Sequence, residues 1–283
     1  MIRNIRFFIF LLFGGVCMLM YPSCTTCSRQ QTVEDITIDL ADLVIDSTYV
    51  NIARKVFYAL PTPIELAMLI KNMGIVYQPA LLNDPANASK YLTNQKMALN
   101  FGAYITDLTY AGLFEQSQTV LRYRTAIRQL TEGLGLQSAI DRNAMQRLEA
   151  AINDKNTVLQ IISDTYASCT ASLNENDRYF LTLAMFTGGW VEGMYLATSL
   201  IDEKKPSEES RMKQLMIDQK LTFEMIWQVM SDLKEISEVA GMMNDLSELA
   251  QLLKKIDTNS VTLEEYTKIK EQIHSLRQII TNK

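Results

Sequence analysis

Two stretches of this sequence, residues 94–114 and 173–201, carry apolar side chains on nearly every side of a helix. A helix of that kind is stable in water only where other elements cover it all round. In the first, Met97, Leu99, Phe101, Tyr104, Ile105 and Leu108 leave no polar face. The remainder of the chain must therefore supply a shell, and its residue pattern is helical too. Alternating runs such as 36–40 are short and flanked by helix-compatible sequence, so no strand of useful length is expected. Six prolines and eleven glycines in 283 residues favour long regular elements over many turns. The expected fold class is all-α.

The shell can be read segment by segment. Val50, Ala53, Val56, Phe57 and Leu60 fall at helical spacing. Thr62, Pro63 and Glu65 have the residue types of a capping box with proline at the first helical position. Gly74 can end that helix in a left-handed conformation. Residues 77–89, with Pro79, Asn83, Pro85 and Asn87, read as a loop with about one helical turn. Residues 116–132 are amphipathic, with Val120, Tyr123, Ile127 and Leu130 inside and Arg122, Arg124 and Arg128 outside. Gly133-Leu134-Gly135 breaks that helix. Further helices are expected over 138–152 and, capped by Asn153-Asp154, to about Ser168.

The charged stretch 202–207 marks an internal boundary. Beyond it Met212, Leu215, Gln219, Thr222, Ile226 and Val229 begin a seam spaced three and four apart, continued by Leu233, Ile236, Ala240 and Met243. A bend at Gly241 shifts the seam to Met242, Leu246, Leu249, Leu253 and Ile256. Thr262 and Glu265 form a second capping box, and Tyr266, Ile269, Ile273, Leu276 and Ile280 a final seam. The expected organisation is a multi-helix bundle over 47–203 and a long C-terminal helical hairpin over 207–283, packed on the bundle, on itself or on a second copy. An echo between residues 102–111 and 188–197 (glycine and alanine at the ends, aromatic and aliphatic matches between) leaves duplication of a helical unit open.

The N-terminus reads as an address. Arg3 and Arg6 precede an uncharged apolar run over 7–20. At about 1.5 Å per residue it reaches about 21 Å, short of a bilayer core of about 30 Å and suited to a signal peptide. Ser23-Cys24 follows, a small residue and a cysteine as at a lipoprotein cleavage site, although Tyr21 replaces the usual aliphatic residue. The expectation is a signal peptide over 1–23, lipidation at Cys24 and a tether over 24–46. A plainly cleaved signal peptide is the alternative. No acidic cluster adjoins Cys24, so an outer-membrane lipoprotein facing the periplasm is the expected location, with the membrane met through the lipid.

The segments LPTPIELAMLIKNMG, ALNFGAYITDLTYAGLF and GGWVEGMYLA resemble parts of helical lipoproteins of Bacteroidota that have no assigned activity. The likeness covers residues 50–200 or so. It implies fold and location, and it transfers no catalytic residue.

The residues offer little chemistry. A net charge of −5 gives no electrostatic footprint for nucleic acid. His274 is the single histidine; a zinc site needs several ligands around one point, and a serine or cysteine nucleophile needs a histidine within reach. His274 reads as a solvated helix residue too distant to serve either, so no metal and no cofactor are expected. Cys169 reads as a small buried apolar residue. Asp107 and Glu192 are the remaining candidates, each inside one of the all-apolar helices. They could orient a small polar or cationic ligand in a pocket lined by Tyr104, Tyr110, Trp190 and Tyr195, or act as paired carboxyls in hydrolysis, or simply hydrogen-bond to tyrosines. Gly102, Gly188, Gly189 and Gly193, costly within helices, signal either that pocket or close helix contact. The expected function is a non-catalytic binding or protein-interaction module anchored at the envelope. A small-ligand binder and a carboxylate-dependent hydrolase are the alternatives.

Overall fold

The two stretches without a polar face are helices, and each is the other's main neighbour. The computed structural model describes residues 63–72, 74–140, 143–202, 205–257 and 260–282. These form helices α1 (Pro63–Asn72), α2 (Asn94–Leu113), α3 (Ser117–Gly133), α4 (Ala144–Ala150), α5 (Lys155–Glu175), α6 (Tyr179–Leu200), α7 (Glu209–Asp232), α8 (Ser237–Lys255) and α9 (Leu263–Thr281). Short 3₁₀ turns stand at Pro79–Leu81, Pro85–Lys90 and Pro206–Glu208. No strand occurs among the described residues, and the fold is an all-α multi-helix bundle. The leader, Cys24, the tether, the helix expected over 49–60 and Thr62 with the Glu65 side chain lie outside the described residues.

Among the described elements, α2 and α6 share the most extensive contact. Every residue of α2 from Ala98 to Leu113 is buried. Glycine makes the approach possible. A Cβ on Gly102 would fall on the Met185 carbonyl oxygen, and one on Gly188 on the Leu99 carbonyl oxygen. Both obstacles are backbone, so neither can rotate away. Thr106 Oγ1 then donates across the crossing to Gly189 O at 3.1 Å. Around this axis, α3, α1 and α5 cover α2, while α9, α1, α5 and α7 cover α6. One apolar core runs from α1 to α9, across the charged stretch at 202–207.

Helix ends explain most differences from the sequence reading. The boundary placed between Ser168 and Leu173 stands instead at Asn176–Arg178. There Asp177 takes φ 56°, Asp177 N donates to Asn174 O and Arg178 N donates to Leu173 O. This is the Schellman closure. Gly135 (φ 70°) closes α3 in the same way, and Glu115 (φ 58°) closes α2. The helix expected over 138–152 spans only Ala144–Ala150. Gly74 is left-handed, Asp154 caps α5 through Asn156 N and Thr157 N, and the Thr262–Glu265 box is complete on both limbs.

The C-terminal helices carry the expected seams, with one correction. The first arm does not run on to a bend at Gly241; it breaks after Asp232 and restarts at Ser237. The phase shift in the seam is the cause. Met212, Leu215, Ile226 and Leu233 are buried on one side of the break, Val239, Met242, Leu246 and Leu249 on the other, while Ala240 faces solvent. A continuous helix would bury only one of the two sets. The last helix, α9, packs against both α6 and α8.

Candidate functional site

Asp107 sits mid-helix in α2, one turn after Tyr104, and is 0% exposed. Its Oδ2 accepts from Asn83 N at 2.9 Å and from the Tyr123 hydroxyl at 3.1 Å. Its Oδ1 is buried and meets no donor. Across the α2–α6 crossing lies Glu192, 1% exposed, whose carboxyl is within hydrogen-bonding reach of Asp107. Arg277 of α9 donates to Glu192 through Nε at 3.2 Å and Nη2 at 3.3 Å.

Burial pushes the Asp107 carboxyl well above the usual carboxylate range, and the Glu192 charge pushes it further; the bond from Asn83, the Arg277 charge and the Tyr123 hydroxyl oppose this without reversing it. Burial also raises Glu192, against the pull of Arg277. The Tyr104 and Tyr123 hydroxyls are raised by burial and by these charges, so both stay protonated as donors.

These groups fasten the 3₁₀-turn segment 78–93 to the bundle. Tyr123 donates to Asn83 O at 2.6 Å, Tyr104 to Asp84 O at 2.9 Å, and Arg277 Nη2 to Leu81 O at 3.2 Å. Asn83 Nδ2 donates to the Tyr91 hydroxyl and to Asn100 Oδ1, and Gln78 N donates to the Tyr110 hydroxyl at 3.0 Å. A segment with little regular structure must satisfy its backbone polar groups somewhere. Here the bundle's side chains do it.

Six residues were candidates for a ligand pocket, and the structure brings only some together. Tyr104, Asp107 and Glu192 share the cluster. Tyr195 lies one turn after Glu192, with the Arg277 guanidinium 4.6 Å from its ring centroid. Tyr110 sits further along α2, stacked on Tyr77. Trp190 stands on another face of α6, two residues from Glu192 and thus turned away from it. It donates through Nε1 to Gln219 Oε1 at 3.0 Å and packs on Phe223. The glycines mark close contact: Gly102 and Gly188 against backbone, Gly193 against the Leu66 side chain.

Three members of the cluster escaped the sequence reading. Arg277 lies just off the final apolar seam, between Leu276 and Ile280, where a charged residue ordinarily faces water. Asn83 reads only as a loop residue, and Tyr123 only as an inward aromatic. Two expectations about His274 are overturned, that it is solvated and that it is too distant to meet a serine of the other region. It is half-buried, not solvated, and its Nε2 lies 3.2 Å from Ser199 Oγ because α9 lies along α6. Its ring also meets Tyr195.

Elsewhere the chemistry is quiet. Burial pushes the Cys169 thiol up to about 12, which leaves almost no thiolate at neutral pH. Among the described residues no cluster of His, Cys, Asp or Glu could hold a metal ion, and no helix is long and apolar enough to cross a membrane. The surface does carry a groove of about 510 Å³ between α7 and α8. Phe223, Trp227, Ala250 and Leu253 line it, with Glu224 and Lys254 also on its walls.

Compared with known proteins, the chain matches no family model, no curated protein and no solved structure.

Proposed function

We propose that this chain is a non-catalytic protein-interaction module, held at the bacterial envelope by a lipid on Cys24, that receives its partner in the groove between α7 and α8. The observation that carries the reading is the contrast between that groove and the carboxyl cluster. Trp227 is half-buried, stacks on Phe223 and lines a concave surface. Tryptophan in a partly desolvated hollow is a common anchor for a protein partner. Asp107 and Glu192, by contrast, are covered by the chain's own side chains and engaged in holding segment 78–93. A hydrolase needs both carboxyls open to substrate, and a ligand binder needs the space that Met185, Leu99 and Leu66 fill at the glycines.

The test is photo-crosslinking in the native envelope. A photoreactive residue replaces Gln251, on the groove wall, in the full chain. The reading expects a discrete adduct with another protein that disappears when Trp227→Asp is added, in a chain that Cys24→Ser releases from the membrane fraction. Adducts indifferent to Trp227→Asp would contradict it. Adducts only with a second copy would mean that the groove is a homo-oligomer interface.

A further inference from the structure

We propose that Asp107 and Glu192 hold one proton between them at neutral pH, carried on Asp107 Oδ1, and that its loss as pH rises unlatches segment 78–93 from the bundle. The argument begins with the acceptor that meets no donor. A buried carboxylate oxygen without a hydrogen-bond partner is costly, and Oδ1 of Asp107 is one. Its sister Oδ2 already accepts two hydrogen bonds. A proton on Oδ1 turns the stranded acceptor into a donor to Glu192. Glu192 can accept because its charge is matched by the two bonds from Arg277. The cluster is then neutral: one carboxylic acid, one carboxylate, one guanidinium.

The surroundings place the proton on Asp107. Asn83 N and the Tyr123 hydroxyl reach it from segment 78–93 and α3, and both are neutral donors. Tyr104, on α2, is held protonated and gives its hydroxyl to Asp84 O. Tyr77 and Tyr91 add neutral phenols, and Asp84 lies on the exposed side of its turn. On the far side, α6 brings Glu192 and Tyr195, and α9 brings Arg277. The guanidinium that reaches the pair therefore bonds Glu192, and the acid form belongs to Asp107.

On deprotonation the O–H bond of Asp107 breaks and its proton leaves to water. Two buried carboxylates then face one guanidinium. The sign follows from linkage. The folded chain keeps a proton that the unfolded chain gives up at about pH 4, so stability falls as pH rises from there through the folded value. Where folded Asp107 is protonated and unfolded Asp107 is not, one proton separates the states, and the unfolding constant grows up to tenfold per pH unit. The first structure to loosen is the segment tied to these groups, because two buried carboxylates facing one guanidinium repel across the crossing, against the stronger hydrogen bonds that Asn83 N and the Tyr123 hydroxyl then make to the ionised Asp107.

The pair can be read directly in the full chain by infrared spectroscopy. A protonated carboxyl band should persist at neutral pH, when exposed carboxyls are ionised, and vanish as pH rises. Asp107→Asn should mimic the acid, its amide donating to Glu192 as the hydroxyl did. This variant should fold and lose both the band and the pH slope of the urea midpoint. Trypsin cleavage after Lys90, an exposed residue of the segment, should accelerate with pH in the wild type relative to Asp107→Asn at the same pH. Absence of the protonated band in the wild type would overturn the proposal. So would an Asp107→Asn chain that fails to fold, or one that folds and keeps the pH slope of the wild type.

Discussion

The α2–α6 crossing and the C-terminal trio α7–α9 solve the same problem in opposite ways. In the crossing, two helices without a polar face approach until only glycine fits, and polar groups enter as a closed network of Asp107, Glu192, Arg277, Tyr123 and Asn83. In the trio, each helix buries one stripe and leaves the other face to water; Glu264 and Lys268, for example, form a surface pair at 2.6 Å. The first arrangement gives up adaptability, since its closest contacts, at Gly102 and Gly188, are against backbone and its polar groups are held by hydrogen bonds. The second keeps an apolar hollow at its surface. We therefore place the proposed partner site in the region that is less completely packed.

The sharpest way to break this comparison is to place the same substitution in both regions. Gly188→Ala puts a methyl group on the Leu99 carbonyl oxygen. The helices must separate, and a loss of about 4 kcal/mol or more is expected in urea unfolding. Arg277→Met leaves Glu192 charged and buried without its cation. Removing one partner of a buried pair costs about 3–5 kcal/mol, and the low end is expected because the Arg277 side chain is 17% exposed. The deficit should shrink at acid pH, where Glu192 takes up a proton. The smallest effect has the opposite sign. Gly241 lies within α8 with nothing near its Cβ position, so Gly241→Ala should stabilise by about 1 kcal/mol at most, through helix propensity alone. A Gly188→Ala chain as stable as wild type would dissolve the contrast; a destabilised Gly241→Ala chain would mean that α8 is constrained in a way its open surroundings do not reveal.

The two regions also differed in what could be read from the residues. The seams of α7, α8 and α9 were visible because a half-exposed helix repeats its pattern each turn, and α2 and α6 because they lack one. Boundaries marked by glycine or a capping box, at Gly74, Gly135 and Thr262, were legible. The boundary at Glu115 was legible from the change of pattern, all-apolar before it and amphipathic after it; the one closed by Asp177 in left-handed conformation was not, since aspartate gives only a weak signal for positive φ. The break before Ser237 was mistaken for a bend at Gly241 because glycine marks a weak point without proving that it is used. At the site, Asp107 and Glu192 could be singled out as carboxyls in apolar helices. Their meeting depends on the register of the crossing, and the contribution of Arg277 depends on how α9 lies along α6. Neither is encoded locally.

Native-state amide hydrogen exchange, read segment by segment, tests the central claim most directly. That claim is that the crossing is closed and structural while the C-terminal trio is the adaptable part. Amides in the middle of α2 and α6 should exchange only through global unfolding, and those of α7 and α8 beside Trp227 through smaller, earlier openings. If α2 and α6 opened first, with α7 and α8 protected to the global limit, the assignment of structure to one region and binding to the other would be wrong.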